Sequence, residues 1–208
     1  MAEAVLGRSA QKRSSILSAG MALFLGNGYQ GTSMDQVAAT AEVSKQTVYK
    51  HFRDKQELLQ AIVDEALDST VTPFLGRVAA LADTSALEAD MMALAADYLR
   101  AVLQERVVQL RRLVIGEANR MPALAREYYD RAPKRVIAQF AECLARLHDR
   151  GLLSVPQPDS AAEHFAFLVV GRCIDQALFC GGPKVLADID VDAYAAAATR
   201  VFLAGYRP

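Results

Sequence analysis

The sequence predicts an all-α protein, in which a short N-terminal helical part is followed by a larger helical bundle. Three observations support this fold class. Alanine and leucine are abundant, whereas the 12 glycines and 7 prolines are sparse among the 208 residues and cluster in a few places. Apolar side chains recur at helical spacing along most of the chain. No segment shows the apolar–polar alternation of a half-buried strand, and no internal repeat is visible.

The N-terminal part begins with a helix predicted over residues 10–27, in which Gly20 would let another backbone pack closely. Gly28 is suited to end this helix in the left-handed conformation. Ser33 is a good N-cap for the next helix, and Gln36 three residues later would complete a capping box. The spacing therefore predicts a second, short helix directly after Ser33.

A turn over residues 41–43 leads to a third helix, which Ser44 caps and which runs to about Phe52. If Val48 faces inward, Phe52 lies on the same face four residues later. The outer face then presents an amide, a hydroxyl, a phenol and an ammonium group, from Gln46, Thr47, Tyr49 and Lys50. Amides and hydroxyls read base edges, whereas phenols and cations reach phosphates, so the two short helices predict a helix-turn-helix. A merely solvated polar face is the alternative reading.

Long helices are predicted for the remainder. Asp54 would cap the first of them, which carries Leu58 and Ile62 on its apolar side. Further helices are expected over residues 85–104, 106–119, 122–148, 160–180 and 190–205. Asp159 in the loop SVPQPDS would cap the helix over 160–180, and the segment CGGPK would break the chain before the last helix.

Composition and charge narrow the class of protein. A hydrophobic share of 52% argues against disorder, and no apolar run is long enough to span a membrane. The N-terminus lacks the apolar core of a signal peptide, so we expect a soluble, cytoplasmic protein with no membrane partner. The three cysteines lack metal-ligand spacing, and no metal or other cofactor is expected. Residues 1–56 carry a charge balance of +3 and the remainder −4, which favours a polyanion as partner of the N-terminal part.

The stretch ILSAGMALFLGNGYQGTSMDQVAATAEVSKQTVYKHFRDKQELLQAIV, residues 16–63, resembles the DNA-binding domain of TetR-family transcriptional regulators. The resemblance includes Gly-Tyr after the first helix, Thr-Ser before the second, Val-Ser before the third and Tyr-x-x-Phe within it. VIGEANRMPALAREYYDR and FAFLVVGRC in the body resemble the AcrR-type branch. The resemblance implies a DNA-binding domain over residues 1–55 and an effector-binding and dimerisation domain over 56–208. It also implies a homodimeric repressor, not an enzyme, that a small hydrophobic or amphipathic effector releases from a palindromic double-stranded DNA operator.

Carried over by position, the resemblance and the helix N-termini assign DNA contacts to Arg13, Thr32, Ser33, Ser44, Lys45, Gln46, Thr47, Tyr49, Lys50, His51 and Lys55. Arg8 and Lys12 could also reach the groove edge. The chain departs from the family at Glu42, where many members have glycine in the turn. In a left-handed conformation glutamate costs about 1 kcal/mol relative to glycine, and its carboxylate would repel phosphate.

The body is expected to supply a dimer interface and an effector pocket. Two DNA-binding domains related by a twofold axis read a palindrome, so the C-terminal part must dimerise. The last two helices are rich in apolar and small residues and are the predicted interface. The predicted interface residues are Phe165, Leu168, Val169, Tyr194, Ala198, Val201 and Phe202. The predicted pocket residues are Tyr98, Leu103, Leu110, Val114, Glu117, Met121, Tyr128, Phe140, Phe167, Arg172 and Gln176. Most of these residues would also suit the ordinary core of a helical bundle.

Two other functions are compatible with parts of the pattern. An enzyme built on a helical bundle would need a catalytic motif, and the sequence has no Glu-x-x-His pair, phosphate-binding glycine loop or nucleophile motif. A DNA-binding protein without a small-molecule effector would share the helix-turn-helix but have a solid core in place of a pocket.

Overall fold

The computed structural model describes the backbone of residues 2–208 and the side chains from residue 7 onward, and all regular structure in this range is helical. The α-helices are α1 (Ala2–Asn27), α2 (Met34–Thr40), α3 (Lys45–His51), α4 (Lys55–Leu81), α5 (Leu87–Val102), α6 (Glu105–Gly116), α7 (Pro122–Tyr129), α8 (Arg135–Asp149), α9 (Pro158–Ala166), α10 (Arg172–Cys180), α11 (Gly182–Asp188) and α12 (Val191–Tyr206). Two π-helical turns, Asp130–Lys134 and Phe167–Gly171, join α7 to α8 and α9 to α10. The predicted all-α fold class is confirmed.

Several helix ends differ from the prediction. α9 starts at Pro158 with Gln157 at its N-cap, because proline suits the first turn of a helix, so Asp159 lies inside it. The CGGPK segment contains the start of α11, which was predicted as a break, because Pro183 occupies a first-turn position there. Two predicted continuous helices contain a π-helical turn, and in the first of them Pro133 lies within the turn.

The chain forms two compact units. The N-terminal unit comprises the described residues up to Ala66 together with Leu113–Ala125, and the C-terminal unit comprises Leu67–Arg112 and Arg126–Pro208. The domain boundary predicted after residue 55 stays a prediction, and the first compact unit continues to Ala66. Met1, the first residue of the predicted DNA-binding domain, lies outside the described residues. Across the described helices, none is both long enough and apolar enough to cross a membrane.

The N-terminal unit has a core built from α1 and the helices that follow it. Phe24, Val48 and Phe52 are at most 2% exposed. α1 packs closely on α4 at Gly20, where an added Cβ would lie 2.9 Å from the Ile62 side chain and 3.1 Å from that of Leu58. Glycine at this position therefore permits the close approach that the sequence predicted.

A line of aromatic rings forms much of the core of the C-terminal unit. The ring centroids are 4.9 Å apart for Phe74 and Tyr98, 6.0 Å for Tyr98 and Phe140, 5.2 Å for Phe140 and Phe165, and 5.1 Å for Phe165 and Phe202. Aromatic pairs at such separations contribute about 0.5–1.5 kcal/mol each beyond the area they bury. Burial raises the pKa of Tyr98 to about 12. The rings join α4, α5, α8, α9 and α12 into one core.

Candidate nucleic-acid interface

Side-chain caps define the ends of the two short helices. The Ser33 hydroxyl accepts the Gln36 backbone N–H at 3.2 Å, and the Gln36 side chain accepts the Ser33 backbone N–H at 2.7 Å. This capping box starts α2 as predicted. Ser44 caps α3 by accepting the Thr47 backbone N–H at 3.1 Å, and its hydroxyl lies 2.8 Å from that of Thr47. The caps satisfy helix N–H groups locally, which explains why such short helices hold their bounds.

The turn between α2 and α3 has left-handed backbone at Glu42, with φ of 54°. The Glu42 N–H donates to the carbonyl of Ala39 at 3.2 Å, and the Val43 N–H donates to the carbonyl of Ala38 at 3.1 Å. These two bonds form a Schellman motif, in which glycine is the usual left-handed residue. The conformation that the sequence raised as a possibility at Glu42 is therefore present, together with its cost.

Replacing Glu42 by glycine is expected to raise the free energy of unfolding by about 1 kcal/mol, because glycine adopts positive φ without steric cost. Chemical denaturation followed by circular dichroism would measure it. Glu42→Ala is the matched control, since it removes the carboxylate but keeps a Cβ in the left-handed conformation. Equal stability of the glycine and alanine variants would contradict the backbone explanation.

α3 divides into a buried and an exposed face. Val48 is fully buried and Phe52, at its C-cap, is 2% exposed. Gln46, Tyr49 and Lys50 point outward, with Tyr49 52% exposed. Together with Thr47 these three side chains line one shallow depression on the surface. The face combines an amide, a hydroxyl, a phenol and a cation within one helix, which is the set of groups suited to base edges and phosphates.

Cations from two helices surround His51. Burial, followed by the positive charges of Lys50, Arg13 and Lys12, lowers the pKa of His51 below its ordinary value of 6.5. The Arg13 guanidinium also lies 5.4 Å from the centroid of the Phe52 ring, which orients it beside α3. Arg13 and Lys12 belong to α1, so the N-terminal helix adds positive charge to the surface that α3 presents. Lys12, which the sequence analysis treated as secondary, is part of this cluster.

Two predicted phosphate contacts have partners inside the protein. The Thr32 side chain is 3% exposed, and its hydroxyl donates to the carbonyls of Leu23 at 3.1 Å and Gly28 at 2.9 Å. The Lys55 ammonium donates to the carbonyls of Tyr29 at 2.7 Å and Thr32 at 2.9 Å. It also lies 4.3 Å from the centroid of the Tyr29 ring. Both side chains therefore hydrogen-bond to the backbone of α1 or of the segment between α1 and α2. The phosphate contacts predicted for them are a different role.

The remaining predicted DNA contacts are exposed to different degrees. Arg13, Ser33, Ser44 and Lys45 are exposed, and His51 is half-buried. Lys45 pairs with Asp35 of α2 at 2.6 Å, and because both side chains are exposed the pair is weak. Lys45 could exchange this carboxylate for a phosphate at little cost. All the predicted DNA-contacting residues belong to the N-terminal unit.

Most of the predicted dimer residues lie in the core of the chain itself. Phe165 and Val169 are fully buried, Phe202 is 1% exposed and Ala198 is 8% exposed. Their neighbours within the same chain account for this burial, so they cannot form the outer surface of an interface. Tyr194 is half-buried, whereas Leu168 is 38% and Val201 is 61% exposed. Phe167, predicted for the pocket, is 68% exposed and lines a surface hollow together with Leu168 and Val201.

The predicted effector residues do not form one group. Tyr98, Leu103, Leu110, Tyr128 and Phe140 are buried in the C-terminal unit. Val114, Glu117 and Met121 are buried in the N-terminal unit, where Glu117 lies 3.4 Å from Arg120. Arg172 is exposed and donates a long 3.5 Å hydrogen bond to the half-buried Gln176. Within the first group, Tyr98 and Phe140 belong to the line of aromatic rings.

Comparison with known proteins connects both parts of the chain with regulators of transcription. Residues 16–62 match the bacterial regulatory proteins of the tetR family, and residues 89–208 match the C-terminal domain of AefR-like transcriptional repressors. A crystal structure described as a putative TetR-family transcriptional regulator from Mesorhizobium loti MAFF303099 is 33% identical and covers 97% of this chain and 99% of its own, with a TM-score of 0.88. The structure named flavonoid-responsive regulator FrrA is 25% identical, over 96% of this chain and 98% of its own, with a TM-score of 0.69.

Curated relatives match over only part of the chain. The HTH-type transcriptional activator FasR of Mycolicibacterium smegmatis is 36% identical over 62 residues, which are 30% of this chain and 28% of FasR. The chain spans only 26–59% of the length of five curated relatives that it matches.

Proposed function

Since the chain belongs to the TetR family of transcriptional regulators, whose members are not enzymes, we propose that it binds a palindromic DNA operator as a homodimer and represses transcription. The single observation that carries the proposal is the exposed face of α3, on which Gln46, Thr47, Tyr49 and Lys50 lie together. The cations of α1 beside His51 support it, because they extend the positive surface toward DNA phosphates. Repression is favoured by the match of residues 89–208 to a domain of transcriptional repressors.

We also propose that a small hydrophobic or amphipathic effector releases the DNA. Tyr98 and Phe140 are buried beside each other in the aromatic core of the C-terminal unit, so such a compound would have to part these rings to reach the apolar and aromatic contacts that it prefers. The similarity to a regulator named as flavonoid-responsive favours an aromatic compound. Release requires that the compound binds more tightly to the conformation that cannot hold the operator.

Selection of bound fragments from a genomic DNA library, followed by binding at several salt concentrations, tests the proposed function. A dimeric reader should recover one palindrome, with half-sites about one helical turn apart, and its affinity should fall steeply as salt rises. A weak salt dependence without any enriched sequence would overturn the proposal. Adding aromatic compounds to the isolated complex would then test release.

Substitutions on the exposed face of α3 should distinguish side chains that contact bases from side chains that contact phosphates. Tyr49→Phe removes only the hydroxyl. It is expected to weaken binding to all DNA sequences alike, by about 1 kcal/mol. Gln46→Ala is expected to change the preference at one base pair by about 1–3 kcal/mol. Binding to a library with randomised half-sites would measure both effects. A sequence-specific loss for Tyr49→Phe, or an unchanged preference for Gln46→Ala, would contradict these roles.

Operator affinity is expected to rise as pH falls, because of His51. Burial first, and then the neighbouring cations, disfavour the charged imidazole in the unbound protein, so the pKa of His51 lies below 6.5. Phosphates would neutralise those cations, raise the pKa of His51 and make binding take up a proton. The gain should lie near and below pH 6.5 and reach at most about tenfold per pH unit for each His51. Fluorescence anisotropy from about pH 8 to about pH 5.5 would measure it. An equal slope in His51→Gln would refute the assignment.

A further inference from the structure

The phenol of Tyr98 is an unpaired polar group inside the C-terminal unit. The side chain is only 8% exposed, and its ring packs on Phe74 at 4.9 Å and beside Phe140 at 6.0 Å between centroids. Among the described residues, no group forms a hydrogen bond with its hydroxyl. Buried tyrosine hydroxyls usually have a partner. The unpaired hydroxyl therefore indicates a contact that a bound molecule would supply.

The guanidinium of Arg111 is the charged group that acts on this phenol. Burial raises the pKa of Tyr98 to about 12, and the positive charge of Arg111 opposes part of that rise. Arg111 lies on α6 and is half-buried. Tyr98 therefore keeps its proton at neutral pH and can donate a hydrogen bond near a positive charge. A phenol donor beside a guanidinium is suited to an anionic acceptor.

No acidic side chain balances the charge of Arg111 within the part of the chain that the structure describes. Asp97 of α5 pairs with Arg77 and Arg100, and Arg100 also pairs with Asp192 at 2.7 Å. The acids of this region are therefore engaged by other arginines. A half-buried cation without a counterion has lost part of its hydration without compensation. An anion that arrives with a bound molecule would restore the balance.

We propose that the effector is an aromatic carboxylic acid, which binds in its ionised form with its carboxylate on Arg111 and the Tyr98 hydroxyl. The planar guanidinium offers two parallel N–H donors that match the two oxygens of a carboxylate, and the phenol donates a further hydrogen bond. The aromatic part would lie between the parted rings of Tyr98 and Phe140. The inference rests on the proposed release by an effector and adds the chemical class of that effector and its two polar anchors.

Pairs of acids and amides test this class on the full-length chain. Benzoate, cinnamate and naphthoate would each be compared with the corresponding primary amide, which has nearly the same shape but no charge. Isothermal titration calorimetry would measure the affinities. At least one acid is expected to bind on the order of tenfold to a hundredfold more tightly than its amide, because only the acid forms charged hydrogen bonds. A panel in which no acid binds more tightly than its amide would overturn the proposal.

Substitution of Arg111 tests where the carboxylate binds. Arg111→Met keeps an unbranched apolar side chain and is expected to lower the affinity for the tightest acid on the order of tenfold to a hundredfold. The affinity for the amide and the circular dichroism spectrum should stay unchanged. Arg112→Met is the matched control, because it removes the same charge from the exposed neighbouring position on α6. Equal losses for acid and amide, or equal losses in the two variants, would refute the role of Arg111.

Removal of the hydroxyl tests the second anchor. Tyr98→Phe keeps the ring in the aromatic core and removes only the hydrogen-bond donor. The affinity for the tightest acid is expected to fall by roughly tenfold, as for one hydrogen bond to a charged group. An affinity for the acid equal to that of the unchanged chain would show that Tyr98 does not contact the carboxylate.

Operator release distinguishes the class of effector from the proposed function. Fluorescence anisotropy of the operator complex would be followed as acid or amide is added. Release by the acid but not by its amide, lost in Arg111→Met, supports both proposals. Release by acid and amide at equal concentrations leaves the proposed function standing and overturns the acid class. An acid that binds through Arg111 but leaves the operator bound supports the carboxylate site and overturns the proposed release.

Discussion

Val201→Arg should convert the protein into a folded monomer that no longer holds its operator. Val201 is 61% exposed on α12, so arginine at this position can extend into solvent in the single chain. In the proposed dimer it would bury an unpaired cation twice, at about 3–5 kcal/mol each. The dimer dissociation constant should rise by more than about a thousandfold, and a single helix-turn-helix then contacts only one half-site. Sedimentation velocity and operator binding by fluorescence anisotropy would measure the two losses.

Ile115→Arg is the control for this prediction, because Ile115 is a similarly exposed aliphatic residue, at 57%, on α6. It should leave the oligomeric state unchanged. Val169→Arg would be uninformative, since Val169 is fully buried and a charge there would unfold the chain. A Val201→Arg protein that remains a dimer and binds the operator normally would show that the hollow around Val201 lies outside the interface.

Gly182→Ala should strongly destabilise the C-terminal unit. A Cβ at this position would overlap the carbonyl oxygen of Leu103 and lie 2.8 Å from its carbonyl carbon and 3.0 Å from Val108 Cγ2. Two of these three atoms are backbone, which cannot move aside as a flexible side chain can. We expect the free energy of unfolding to fall by about 4 kcal/mol, or the protein to become insoluble. Urea denaturation followed by circular dichroism would measure the change.

Gly76→Ala makes the same chemical change where there is space. An added Cβ at Gly76, within α4, meets nothing within 4 Å. Alanine is the better helix former, so this variant should be more stable by roughly 0.5–1 kcal/mol. Opposite signs for the two substitutions would support close packing of α11 against the Leu103 backbone. A Gly182→Ala protein as stable as the unchanged chain would show that the two segments can separate at little cost.

Local signals in the sequence predicted the helix-turn-helix well. Ser33, Ser44 and Asp54 each cap the helix predicted for them, and Glu42 has the left-handed backbone that its place in the turn suggested. Caps and turns depend on side chains within a few residues, so a single sequence contains the information needed to find them. The inward direction of Val48 and Phe52 followed equally from helical spacing.

Contacts between distant segments were not predictable in the same way. Lys55 was assigned to phosphate, but the fold brings it to backbone carbonyls 23 and 26 residues away. Phe165 and Val169 were assigned to the dimer interface, because a helix that is apolar on all sides does not reveal which neighbour covers each side. The break predicted at CGGPK is the start of α11, in which Pro183 takes a first-turn position and Gly182 packs against the Leu103 backbone. In each case the deciding neighbour is one that only the folded chain supplies.

The π-helical turn Phe167–Gly171 has a consequence for how this chain can be compared with its relatives. An extra residue in a loop changes the length of the loop, whereas an extra residue taken up by a π-turn leaves the helix continuous. Because a π-turn closes its hydrogen bond over five residues instead of four, it holds the extra residue within one turn, and the side chains that follow keep nearly the same direction around the helix axis. Without that turn, one inserted residue would rotate every later side chain by about 100°. A one-residue gap in an alignment at this point therefore leaves the surface that follows in place, and two regulators that differ only by this gap would present the same face to a partner.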